Sequence, residues 1–164
     1  MTSDILETLG LTAGDVIRLD SRDRSRLLNF LLRWQHLDAL HRCLDMLIPR
    51  RPRLVSLLDL RARALQAVDA HAEAEAVMRE RLTIRSSTTA RAQLARIYLA
   101  QGKQSDADTI ARELVETSGD QLTPWYLALD AALAANDRER AAEACRRLRE
   151  LRPYGRAYLR AMRK

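Results

Sequence analysis

Residues 88–153 contain one helical hairpin written twice, and this repetition narrows the folds open to the chain more than any other feature. At a shift of 34 residues, Leu94 falls on Ala128, Ala95 on Leu129, Tyr98 on Ala132 and Gly102 on Asn136, while Ala107, Ala111 and Leu114 fall on Ala141, Cys145 and Leu148. Apolar and small residues recur in each half, and turn formers stand between the halves. A unit of this kind buries its apolar face only against its neighbours, so the period specifies a stack of helix-turn-helix hairpins. A shift of 33 places Ala62, Leu65, Ala74 and Met78 on Ala95, Tyr98, Ala107 and Ala111. A further copy, one residue shorter near Ser86, therefore lies upstream.

Breaker residues agree with an all-helical chain. Only 5 Gly and 4 Pro are present, and nearly all fall between apolar-periodic segments. The expected organisation is an N-terminal extension over 1–20, hairpins over 21–53, 54–86, 87–120 and 121–153, and a basic capping helix over 154–164. Asp20 or Ser21 caps a helix whose apolar positions (Leu27, Leu28, Phe30, Leu31, Leu32, Trp34) go round more than one face, as for a helix covered on several sides. Pro52 suits a first helical position, Ser86 or Ser87 an N-cap, and Thr123 an N-cap followed by Pro124 in the first turn. Asn136 tolerates the left-handed conformation that Gly102 supplies one repeat earlier. Residues 11–19 hold a Gly-Asp turn and a short β-prone run, and the N-terminal extension is to be read as an irregular cover for the first hairpin, as a dimer-forming strand or as the remnant of a preceding segment.

The net charge of +6 is localised. Residues 137–164 carry ten basic side chains against four acidic ones, and residues 1–136 are neutral. All of the 28 basic residues except Lys103 and Lys164 are arginine. Arg146, Arg149, Arg152, Arg156, Arg160 and Arg163 form a basic patch that could meet an acidic protein, phosphates or bases, or serve as a solvated face with intrahelical ion pairs.

No catalytic constellation emerges: there is no Gly-rich phosphate loop, nucleophile elbow or HExxH. His71 with Glu75, and His41 with Cys43, lack further ligands at metal-binding spacing. A non-enzyme without metal or cofactor is expected. Two cysteines without CxxC spacing, no signal-peptide pattern and no long apolar run point to a cytoplasmic protein without a membrane span.

The pattern Arg91-x-x-Leu94-Ala95-x-x-Tyr98-x-x-x-Gly102, continued by Ala107, Ala111 and Leu114, resembles the tetratricopeptide repeat (TPR). Its counterpart is Trp125, Ala128, Leu129 and Ala132, followed by Ala141, Cys145, Leu148 and Pro153. The resemblance implies a right-handed superhelical α-solenoid of about four repeats with a short C-terminal capping helix. It further implies a concave groove, lined by the first helix of each pair, that binds a partner peptide or helix. Carried onto this chain, the groove sites are Asn29 and Arg33, then Asp59, Arg63 and Gln66, then Ala92, Arg96 and Leu99, and finally Tyr126, Asp130 and Leu133. Arg63 and Arg96 occupy equivalent sites and could grip a carboxylate. The expected function is a protein-protein interaction scaffold; the alternative is nucleic-acid or anionic-surface binding through the C-terminal arginines.

Overall fold

The computed structural model describes residues 5–151. Among them are ten α-helices and no strand: α1 (Ile5–Thr8), α2 (Ala13–Arg18), α3 (Ser21–Arg33), α4 (Leu37–Leu47), α5 (Val55–Ala67), α6 (His71–Ile84), α7 (Thr88–Ala100), α8 (Gln104–Ser118), α9 (Leu122–Ala134) and α10 (Arg138–Leu151). The chain is all-α. Helices α3 to α10 pair in order as four hairpins, and the chain divides into two compact units, Met1–Arg85 and Ser86–Lys164. The proposed capping helix over 154–164 lies outside the described residues.

The four hairpin turns share one geometry. Each contains a residue with positive φ: Gln35 (59°), Asp69 (57°), Gly102 (75°) and Asn136 (54°). In each, the next residue donates its N–H back to a carbonyl near the end of the first helix: His36 to Leu31 at 2.9 Å, Ala70 to Leu65 at 2.9 Å, Lys103 to Tyr98 at 2.8 Å, and Asp137 to Ala132 at 2.9 Å. The left-handed residue itself bonds one carbonyl further on, to Leu32, Gln66, Leu99 and Leu133 respectively. This paired arrangement is the Schellman motif, which satisfies carbonyls that a helix end otherwise leaves open. Its spacing runs 34, 33 and 34 residues. The first hairpin, faint in sequence, is thus a full repeat, and the missing residue falls between the second and third turns.

In the first unit, the core is built from Leu28, Leu31, Leu40, Leu44 and Leu47, joined by Leu57, Leu60 and Ala64 of α5. Leu6 and Val16, at 2% and 0% exposure, belong to the same cluster, and each buried aliphatic side chain of this kind contributes about 1.5–3 kcal/mol. The β-prone run is therefore a helix, not a strand. A capping box starts it: Asp15 N–H donates to Thr12 Oγ1 at 3.3 Å, and Thr12 N–H donates to Asp15 Oδ2 at 2.9 Å. Those two bonds nucleate a helix too short to show a period. Asp20 caps α3 by accepting from the Arg22 and Asp23 N–H groups at 2.8 Å. Pro52 sits in the turn before α5 instead of in its first turn, because the chain bends once more through a Leu54 N–H to Arg51 carbonyl bond.

The second unit packs through small residues. Ala90, Ala92, Ala95, Ala107, Ala111, Ala132 and Ala144 are buried, and Leu94, Ile97, Tyr98, Leu114, Leu127 and Leu148 fill the gaps. Ser87 caps α7, its Oγ accepting from Ala90 N–H at 3.3 Å. Thr123 is not the cap of α9; the helix begins at Leu122 after Gln121, so Pro124 stands where a helix needs no N–H partner. Trp125 Nε1 donates to the Gly119 carbonyl at 2.7 Å and ties the start of α9 to the end of α8.

Candidate partner-binding groove

Three of the residues expected to face a partner converge in the first unit. Asn29 on α3 and Asp59 and Arg63 on α5 line a groove of about 340 Å³, together with Arg24, Arg51 and three serines. That volume lies at the lower end of the range for ligand clefts. Two polar side chains along α3 are held by its own backbone: Ser25 Oγ donates to the Ser21 carbonyl and Asn29 Nδ2 donates to the Ser25 carbonyl, both at 2.8 Å. The Asn29 amide oxygen stays available to accept from a bound backbone.

The charge of the groove is set by which members are already paired. Asp59 Oδ1 accepts from Arg81 Nε on α6 at 2.8 Å, and Arg81 is 6% exposed. Asp59 is therefore spent on holding α5 to α6. Arg24 is buried and donates from Nη1 to the Leu19 carbonyl at 2.9 Å. Arg51 and Arg63 are exposed and make no ion pair with a described residue. Cationic guanidinium groups facing serine and amide groups suit a carboxylate or a row of carbonyls.

The other expected sites are distributed differently. Arg33 lines a second, adjoining depression along α3 with Phe30 and Trp34, which Ser25 and Asn29 also border. Gln66 is half-buried on α5. Ala92 is 0% exposed and belongs to the core of the second unit, so it cannot face a partner. In that unit Arg96 Nε lies 3.3 Å from Asp130 Oδ2, linking α7 to α9. Two expected partner contacts thus satisfy each other. Tyr126 is half-buried and Leu133 exposed on α9.

The basic end is less free than its composition suggests. Arg146 meets Glu143 at 2.6 Å, and Arg147 meets Glu143 and Glu150, each at 3.1 Å. The hydrogen bonds that Arg147 donates to Glu143 and Glu150 hold its guanidinium above its usual pKa. Arg149 is exposed on the same helix; Arg152, Arg156, Arg160 and Arg163 lie outside the described residues. Asp108 on α8 meets Arg112 at 2.6 Å and also bonds Arg140 on α10. Partial desolvation opposes the charge on Asp108, but the Arg140 hydrogen bond and both cations outweigh it and hold the carboxyl below its usual pKa.

Neither a family model nor a curated protein matches the sequence. Among solved structures, the chain is similar to the MamA RS-1 ArsTM double mutant, with a TM-score of 0.66 and 18% identity over 82% of this chain and 76% of that one. Four hairpins with one turn geometry, spaced 34, 33 and 34 residues apart, decide the matter. The chain has a TPR-like helical-repeat fold. YrrB, described as a TPR protein with an unusual peptide-binding site, aligns over 85% of this chain and 90% of its own at 13% identity, with a TM-score of 0.43.

Within the TPR-like repeats, Arg24 and Arg51 are groove residues that the sequence pattern did not single out. Arg51 comes from an inter-repeat turn, which periodicity does not describe. Arg24 reads as an ordinary surface arginine until the fold buries it. Among the described residues, no group of three or more His, Cys, Asp or Glu side chains could hold a metal ion, and no helix is long and apolar enough to cross a membrane. Neither Cys43 nor Cys145 forms a disulfide with a described residue.

Proposed function

We propose that the chain is a protein-protein interaction scaffold whose α3/α5 groove holds a carboxylate-bearing segment of a protein partner. One observation carries this reading: Asn29, Asp59 and Arg63 line a single groove in which the charge of Asp59 is matched by Arg81, while Arg51 and Arg63 are left to meet an anion. An extended segment would place a carboxylate on Arg63 and its backbone N–H on the Asn29 amide oxygen.

The test is affinity capture from the native cell, comparing wild type with an Arg51→Glu, Arg63→Glu variant. Loss of one or more partners that tolerate moderate salt supports the groove. Identical captured sets defeat it. Arg96 is left out because Arg96→Glu would set a carboxylate against Asp130 and perturb the second unit directly. Binding to DNA or RNA that weakens steeply with salt would instead favour the anionic reading.

A further inference from the structure

The outer face of α3 is uncovered at a position where the same face of the next repeat is buried. The turn motif aligns Leu31 with Leu65, so Asp23, Arg26 and Phe30 of α3 stand where Leu57, Leu60 and Ala64 stand on α5. Those three α5 residues lie in the core with α3 and α4. Their counterparts on α3 are exposed: Arg26 and Asp23 keep 65% and 55% of their side-chain surface, and Phe30 is 39% exposed. The N-terminal helix α2 packs on α4. Covering on several sides, expected from the apolar pattern of α3, therefore extends to Leu28, Leu31 and Leu32 but not to Phe30 or Trp34.

The uncovered face has definite chemistry. Phe30 and Trp34 rings lie 6.3 Å apart, and Phe30 stacks with His36 at 6.2 Å. Trp34 is 62% exposed, and the two rings border a shallow depression of about 540 Å³. Arg22, Arg26 and Arg33 flank it. Among the described residues, Arg26 pairs with Asp23 at 3.4 Å, an exposed and weak contact. An aromatic centre with an arginine rim is the composition of a binding surface.

We propose that this face docks an amphipathic helix of an acidic protein partner, with its apolar stripe on Phe30 and Trp34 and its carboxylates on Arg22, Arg26 and Arg33. Helical coverage is what the equivalent face of α5 receives inside this chain. Charge selects the occupant: a second copy docked face to face would set Arg22, Arg26 and Arg33 against the same three arginines, whereas an acidic helix complements them. This site adjoins the α3/α5 groove and shares Ser25 and Asn29 with it, but Arg22, Arg26, Phe30, Arg33 and Trp34 line only this depression, and Arg51 and Arg63 line only the groove.

The probe is a synthetic helical peptide of about 20 residues, with leucine at every third and fourth position and glutamate on both flanks of the stripe. Both ends are blocked, so that no terminal carboxylate can enter the groove. A second peptide carries lysine for glutamate, and an oligo-dT strand is the third arm. Affinity is measured by isothermal titration calorimetry, and in proteins that keep Trp34 its emission reports where the peptide sits, with Trp125 a constant background. The glutamate peptide should shift the emission to shorter wavelength, and its affinity should fall about tenfold or more in Trp34→Ala, Phe30→Ala and Arg26→Glu, Arg33→Glu variants. Affinity should be unchanged in Arg51→Glu, Arg63→Glu. Circular dichroism verifies that each variant folds, as expected for exposed positions. No binding of the glutamate peptide, equal binding of the lysine peptide, or indifference to Trp34→Ala and Phe30→Ala would overturn the proposal. So would oligo-dT binding that displaces the peptide. Loss only in the Arg51, Arg63 variant would return the peptide to the groove and refute this site alone.

Discussion

Replacing Asp59 by alanine separates a stabilising role from a binding role at one residue. Arg81 has 7% of its side chain exposed, and its guanidinium is held by three acceptors: Asp59 Oδ1 at 2.8 Å, Asp59 Oδ2 at 3.4 Å and the Arg85 carbonyl. Asp59→Ala removes two of the three and leaves a buried cation. Breaking a fully buried pair in this way costs about 3–5 kcal/mol. The Asp59 side chain is 31% exposed, so water enters the gap and the expected cost is nearer ~2–3 kcal/mol. Arg81→Met leaves a carboxylate that can hydrate, at about 1–2 kcal/mol. The double variant should be less destabilised than the sum of the two by about 1–2 kcal/mol. Urea unfolding of the four proteins, followed by far-ultraviolet circular dichroism, measures each value. A loss below about 0.5 kcal/mol for Asp59→Ala, or strict additivity, would refute the structural assignment. Lost partner binding at unchanged stability would instead make Asp59 a direct contact.

Three other perturbations test neighbouring steps of the reasoning. Asp108→Asn should destabilise the second unit by about 1–2 kcal/mol at neutral pH, since it weakens links to Arg112 and Arg140. Because the folded carboxyl lies below its ordinary 3.8, this contribution is present above pH 3.8 and is lost as pH falls through the folded value. A deficit against wild type that persists undiminished at the lowest pH where the protein folds would contradict that sign. Gln35→Gly should stabilise by about 0.5 kcal/mol, and Gly102→Ala should destabilise by about 1 kcal/mol, because both positions are left-handed and an added Cβ at Gly102 meets no atom within 4 Å. Denaturation midpoints moving the other way would remove the strain argument. Gly119→Ala places a Cβ 2.5 Å from the Val115 carbonyl oxygen, and the required shift should cost about 1–3 kcal/mol and disturb the Trp125 hydrogen bond, visible as a change in tryptophan emission.

Local periodicity carried most of the fold. The apolar and small positions of α5 to α10 repeat at nearly constant spacing, so their helical character and the left-handed turns at Gly102 and Asn136 were legible. Short elements were not, because α2 depends on two hydrogen bonds between Thr12 and Asp15 and not on a period. The Thr-x-x-Asp pair is a signal that could have revealed it. Site residues were legible as positions but not as states. Asp59, Arg96 and Asp130 stand where the repeat places groove residues, yet Asp59 pairs with a residue 22 positions away and Arg96 with one 34 away. Such distant partners emerge only when the helices are stacked. Phe30 and Trp34 were misleading for a related reason: apolar character promises burial, but whether a neighbour exists to supply it is a property of the array.

The four matching turns make the chain modular along its length. Each turn closes in the same way whether its left-handed residue is Gln, Asp, Gly or Asn, so length and not residue identity keeps the hairpins in register. An inserted residue in a helix would rotate everything after it by about 100°. A deletion that runs from one turn's left-handed residue to the next would instead rejoin like with like. Excising residues 103–136 would join Gly102 to Asp137 and graft α10 directly behind α7 through the same closure. Such points are ready-made splice junctions, at which hairpins can be lost, gained or exchanged without rewriting the residues on either side.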